Sequence, residues 1–500
     1  MPQSGGSRIA PTPHHRNLEG RKQYTRLVFA AVLSANLVIW MVFMRFTATV
    51  NADRWQVIDL TVAFNSIAVI AIAAFLLKDY SACLIYAIYL WTHHLSALLM
   101  TGLAESAWSL LPEHMASWGQ AISWHAAGVL CLVCEIAFLL GVTLRAGLRL
   151  ADRRRLRSTD GPAATRCHVV SFWLGITMTS AGIGLLLSAV ASGGWGGAFA
   201  ASYADRFETV FQATFGWGFH LCAIGSIIAL ATADRRLVWL PICLQAFGSI
   251  LLLALGSRGP ALIGPLAMTI CAIKRGLRPG RVLVAAGVIF VLWICAVVGV
   301  SRDEGTSFSL AGGASVSGLR TVIEMGTTLQ TVSLCYDWLS AGEPLRGGQG
   351  YLVPFERAMA VVFPWFRGDP ANDERTLSTV ILNRSTGLGG SVVAEAVFNF
   401  GVWAPLVVML PLGILLAWCE WRATTLDALA QLGVVQYAFL FQIRDYFTSV
   451  PGHIFVGFAL LWAAQRLCVR PAIPTQERGG PGETASSGPH LSTLDGGSSS

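Results

Sequence analysis

Two residues in this sequence stand where chemistry is needed to explain them. Arg258 interrupts an apolar run, LLLALGSRGPALIG (251–264), and Glu395 lies in a second one, GGSVVAEAVFNFGVWAPL (389–406). A charge at bilayer depth costs roughly 2.5–3.5 kcal/mol on insertion scales. A chain that keeps one there hides it against a partner or uses it. Around Arg258, Gly256, Gly259 and Pro260 break the helix and let the backbone turn. Glu395 shares a helix face with Asn399, one turn on. A carboxylate so placed can take the proton of a hydroxyl group. It can equally lock its helix to an arginine through an ion pair, and both readings stay open.

Further arginines fall at the ends of apolar runs. Arg206 lies in ASYADRFE, Arg302 in GVSRDEG and Arg444 in FQIRDYF, while Arg320 stands in LRTVIEMG. Guanidinium groups are planar forks that hold phosphate through two parallel hydrogen bonds and stay charged in apolar surroundings. A converging set is what binding a lipid-borne pyrophosphate requires. The alternative for each arginine is to snorkel to headgroups or pair with an acid. Asp303 and Glu304 adjoin Arg302, and Asp445 adjoins Arg444; Arg258 has no acid near it in the sequence. His453, at the start of the last apolar run, is grouped with Arg444. His93, His94, His125 and His220 lie inside apolar runs and read as hydrogen-bonded core residues. Glu135 also lies within an apolar run, where it suits a structural partner or a proton relay.

Several chemistries are absent. The eleven cysteines fall mostly inside apolar runs, and the pair Cys131 and Cys134 reads as helix core. There is no phosphate-binding glycine loop, no metal-ligand cluster and no nucleotide-binding domain, so no cofactor or metal is expected. The net charge of +7 comes with 35 basic residues, all but Lys22, Lys78 and Lys274 arginine. They cluster in loops, which is a topology signal and not a nucleic-acid one.

The elements that must position these residues are membrane helices. The 500 residues are 54% hydrophobic and only 13% charged, against roughly 25% charged in soluble domains. The expected fold is an all-α, polytopic membrane helix bundle. Apolar runs near the roughly 20-residue spanning length give about twelve transmembrane helices: 24–46, 57–77, 80–101, 122–143, 168–191, 207–231, 237–256, 260–273, 282–300, 391–418, 426–444 and 453–469. Basic stretches at 145–157, 234–236 and 274–281 follow even-numbered spans. The positive-inside rule then puts both termini in the cytoplasm. Residues 1–23 read as a cytoplasmic tail, 24–470 as the membrane domain, and the Gly/Ser/Pro-rich 471–500 as a disordered cytoplasmic tail. One long extracytoplasmic loop, 301–390, carries seven arginines, nine acids and no lysine. Within it, 319–339 has helical periodicity and 351–366 is an aromatic-rich amphipathic segment suited to the membrane interface.

Four of these stretches, ALGSRGPALIG, IEMGTTLQTV, GSVVAEAVFNFGVWAPL and FQIRDYF, resemble the bacterial O-antigen and oligosaccharide repeat-unit polymerases, the Wzy group. The likeness runs from about Tyr203 to His453. It implies a GT-C-type membrane glycosyltransferase in the bacterial cytoplasmic membrane. Such an enzyme joins oligosaccharide units carried on undecaprenyl pyrophosphate by an inverting transfer that needs no metal. By this resemblance Arg258, Arg302 and Arg444 would hold the donor pyrophosphate, and Glu395 would orient or deprotonate the acceptor hydroxyl. Arg206, Arg320 and His453 complete the expected substrate-binding set. The bilayer, a chain-length regulator and a flippase are the expected partners. Two rivals stand beside this reading: an O-antigen ligase-like relative sharing the donor, and a twelve-span secondary transporter.

Overall fold

The computed structural model describes residues 13–50, 54–103, 117–147, 162–192, 214–255, 257–277, 318–360, 363, 372–385 and 388–468. Among them every regular element is a helix. In chain order these are α1 (Pro13–Met44), α2 (Trp55–Leu76), α3 (Ser81–His94), α4 (Ser96–Leu103), α5 (Ile122–Gly147), α6 (Pro162–Ser192), α7 (Thr214–Thr232), α8 (Trp239–Ala254) and α9 (Arg258–Lys274). The long loop holds α10 (Gly318–Gly326), α11 (Leu329–Ser340), α12 (Gln349–Met359) and α13 (Leu377–Arg384), and α14 (Val392–Phe400), α15 (Leu410–Arg422), α16 (Leu426–Gln442) and α17 (Val450–Cys468) follow. The all-α membrane class and the amphipathic helices of the loop are as expected.

Six helices are long and apolar enough to cross a membrane, or seven if α3 and α4 form one span bent by 50°. The figure of about twelve is not reached among the described residues. The apolar stretches themselves fall on helices, except 282–300, which lies outside the described residues. Several are interrupted or short. The run 391–418 is broken at Gly401, whose φ of +57° ends α14, and a 3-10 turn and a π-helical turn (Pro405–Met409) precede α15. The segment between α11 and α12 meets that break: Gly347 N–H donates to Asn399 O at 2.9 Å and Arg346 N–H to Phe398 O at 3.4 Å. These bonds satisfy carbonyls that a helix end otherwise leaves orphaned.

α5 is the buried axis of one group, packed by α1, α2, α3, α11 and α15. α6, α7, α9, α16 and α17 form a second group. Small residues let the helices close, as is usual where lipid supplies no hydrophobic drive between them. A side-chain carbon on Gly413 of α15 would lie 2.1 Å from Phe138 O of α5. The bent α3/α4 unit bridges the groups, touching α5, α9, α10, α15 and α16. Its bend at Leu95 has a local cause. His94 Nδ1 bonds Leu90 O at 3.0 Å and Ser96 Oγ donates to Thr92 O at 2.6 Å, so side chains compete for the carbonyls of the helix ladder.

Candidate functional site

Arg258 is the first residue of α9, set there by the extended backbone of Ser257. Its guanidinium grips the Glu324 carboxylate of α10 with both arms, Nη1 to Oε2 at 3.0 Å and Nη2 to Oε1. Both side chains are nearly buried. Arg258, without an acid near it in the sequence, thus has one in the fold. The acid arrives from a helix 66 residues away in the chain, where no local sequence window could find it. A fork-to-fork pair of this kind fixes the plane of the guanidinium.

Arg444 lies in the turn after α16. Its Nη1 is 3.7 Å from where a side-chain carbon on Gly259 would sit. Its head thus adjoins the residue following Arg258. The carbonyl of Arg444 packs against Gly389. The turn after α16 therefore runs beside the segment leading into α14.

Glu395 occupies the first turn of α14, where the N-terminal end of a helix favours a negative charge. Ser391 caps that helix by accepting from Ala394 N–H at 3.1 Å. The Glu395 carboxylate is almost fully buried. It accepts from Phe447 N–H at 2.7 Å and is hydrogen-bonded by the Gln442 side chain. These are neutral donors rather than the arginine that the ion-pair reading called for. Asn399 returns a bond from its amide to Glu395 O at 2.9 Å, holding one face of the helix together.

Of the expected site residues, the structure places the Arg444 head beside Gly259, next to Arg258 in the chain, and the turn that carries Arg444 reaches Glu395 through Phe447 N–H. Arg206 and Arg302 lie outside the described residues, and Arg320 is on the first turn of α10 with its side chain outside them. His453 is not brought to this group. Its Nε2 meets His220 Nε2 at 3.1 Å, and His220 Nδ1 meets the Tyr437 hydroxyl at 2.8 Å, deep among α7, α16 and α17. Two other polar residues of the apolar runs are hydrogen-bonded: His125 to Asp59 at 2.9 Å, and Glu135 by the Ser66 hydroxyl.

Glu324, His93, His94 and Ser391 were not singled out as site residues. Glu324 was legible only as the acid in IEMG, and the adjacent histidines of WTHHLS as two polar residues in one span. A cavity of about 310 Å³ lies between Tyr336, Leu339, Val397 and Gly401. Val397 is two residues from Glu395, so this hollow faces the other side of α14. No group of three or more potential metal ligands occurs among the described residues.

Comparison with known proteins gives a direct match. The sequence model of a family described as O-antigen polysaccharide polymerase Wzy matches residues 28–469. A curated protein of Staphylococcus aureus, Protein CapE, is 22% identical over 209 residues, which cover 42% of this chain and 46% of that protein. The chain thus spans about half the length of that relative. No solved structure matches.

Proposed function

The chain belongs to the O-antigen polysaccharide polymerase Wzy family, and from that premise we propose that it joins oligosaccharide units borne on a lipid pyrophosphate into a surface polysaccharide. The carrier is undecaprenyl, the face is the outer face of the bacterial cytoplasmic membrane, and both termini lie in the cytoplasm. The observation that supports the reading is the approach of the Arg444 guanidinium to Gly259, the neighbour of Arg258, while the turn that carries Arg444 continues to Phe447, whose N–H donates to Glu395.

In this mechanism the two guanidinium groups hold the donor pyrophosphate, with Glu324 fixing the plane of Arg258. The acceptor hydroxyl oxygen attacks the anomeric carbon from the face opposite the pyrophosphate. The bond from that carbon to the phosphate oxygen breaks, configuration inverts, and the lipid pyrophosphate leaves. Positive charge aimed at the departing oxygens is the main stabilising contribution, because it needs no reorganisation as the charge develops. The Glu395 carboxylate receives the hydroxyl proton. No metal takes part. The α10–α13 segments cover the sugar chain and keep water from competing with the acceptor.

Deleting the gene and separating the surface polysaccharide on a gel tests the activity. The deletion strain should show single-unit species where the parent shows a ladder. An unchanged ladder removes the polymerase reading, and full-length but unattached polymer points to a ligase. Arg258→Ala and Arg444→Ala, expressed in that strain at normal protein level, should each fail to restore the ladder. Lysine at either position should also fail, since a point charge does not replace a two-armed contact.

A further inference from the structure

The two histidines at the bend of the α3/α4 unit reach the two charged groups of the site, each through a different helix. His93 Nδ1 lies 3.3 Å from Met325 O, the residue after Glu324. A carbonyl only accepts, so Nδ1 carries the proton and donates it. Met325 O is one of the last four carbonyls of α10, which have no partner within their own helix. Beside it, Ser96 Oγ lies 2.8 Å from Val322 O, its one proton shared between that carbonyl and Thr92 O, and Gly326 rests on Ala97, where a side-chain carbon would lie 2.4 Å from the backbone nitrogen. The helix bearing Glu324 is therefore seated on the bend.

His94 faces the other way. Its Nδ1–H is spent on Leu90 O, so in the neutral ring Nε2 accepts, and the Ser391 hydroxyl donates to it at 2.8 Å. Ser391 in turn accepts from Ala394 N–H at 3.1 Å, and its own carbonyl takes Glu395 N–H at 2.9 Å. Both rings and the serine are fully buried.

We propose that His93 and His94 are positioning residues that fix the spacing between the Arg258–Glu324 pair and the Glu395 carboxylate. They touch neither reactant. One holds α10 through Met325 and the other holds the start of α14 through Ser391, so a single bent span sets the distance between both charged groups. A displacement of about 1 Å from such a contact is enough to cost a reaction on the order of a hundredfold. This rests on the function proposed above, and the test separates the two.

Hydrogen–deuterium exchange of the purified full chain in lipid nanodiscs reads the positioning without reference to activity. His94→Ala should raise exchange over 391–400 and leave 318–326 near wild type. His93→Ala should do the reverse. His94→Gln, which keeps an acceptor for the serine, and His93→Asn, which keeps a donor for Met325, should restore protection. If His94→Ala does not accumulate, Ser391→Ala cuts the same link from its other end and Ser391→Thr serves as its rescue.

Kinetics with lipid-linked unit extracted from the deletion strain then read the consequence. kcat should fall about 10- to 100-fold in the alanine variants, KM should change less than about threefold, and the Gln and Asn variants should recover most of the rate. Equal loss of protection in both helices from either alanine variant, or no recovery in the conservative variants, overturns the proposal. A wild-type chain that makes no polymer removes the proposed function alone, since the exchange pattern still decides the positioning.

Discussion

The two ends of α3 meet helices whose buried carboxylates are held in opposite ways. At its first turn, Glu420 of α15 accepts from the N–H groups of Ala82 and Cys83, each at 3.1 Å, and from the Ser81 hydroxyl at 3.3 Å. Lys274 Nζ stands 2.6 Å away and donates also to Asp79 O at 2.7 Å. Both oxygens of Glu420 are taken up, and its charge is matched by a full positive charge and by the N-terminal end of the helix. At the far end His94 reaches Ser391, the cap of the helix whose Glu395 carboxylate has the neutral donors Phe447 N–H and the Gln442 side chain. A carboxylate saturated by its own chain is a fastening. One held by neutral donors is, in the scheme proposed above, the group that takes a proton. Burial is shared by the two groups, and only the tally of their partners tells them apart.

The strongest challenge to this contrast is Glu420→Ala. It uncaps α3, strands Lys274 and opens a joint between α3, α9 and α15. Breaking one side of a buried pair typically costs about 3–5 kcal/mol. The expected outcome is a large fall in melting temperature of the detergent-purified protein, or no folded protein at all. A variant that melts like wild type yet makes no polymer would move Glu420 into the same class as Glu395.

Glu395→Gln examines the other side. The amide keeps an oxygen for Phe447 N–H and the size of the side chain, so melting should shift little. Polymer formation should fall by about 10²–10⁴-fold, the usual contribution of a general base. A normal ladder from this variant would make Glu395 a second fastening and would leave the acceptor hydroxyl without a base in the proposed scheme.

The contrast also marks what the sequence could tell. Hydropathy exposed the helical membrane class, because apolar runs need no tertiary information. Arg258, Arg444 and Glu395 were legible as charges out of place, and that cost is local too. Partnership was not legible. Glu324 meets Arg258 across 66 residues and His94 meets Ser391 across 297, separations at which no spacing rule operates. His453 follows Arg444 shortly in the chain, and its side chain meets His220 on another helix, a contact that no spacing rule gives. The span number of about twelve is not confirmed among the described residues, where breaks such as Gly401 shorten helices inside runs that remain apolar throughout.

A third setting, the surface of the long loop, gives the mildest case and sharpens the other two. Arg375 binds Asp373 through Nε at 2.8 Å and reaches Glu356 of α12 at 2.8 Å, while Arg357 stands 4.0 Å from Asp373. Arg375 is about two-fifths exposed, so solvent screens the whole group. Hydrogen bonding from the Arg375 guanidinium holds the Asp373 carboxyl below the usual carboxylate range. A carboxyl lowered on folding contributes stability above its unfolded value, near 3.9, and loses it as pH falls through the lower, folded value. Arg375→Ala should therefore cost at most about 1 kcal/mol at neutral pH. The difference from wild type should shrink in high salt and vanish in acid below that range. Proteolytic cleavage between 360 and 376, followed across pH and salt, measures it. A cost that persists in acid would mean that Arg375 holds α12 by packing rather than by charge, and that the loop is fastened more like Glu420 than its exposure suggests.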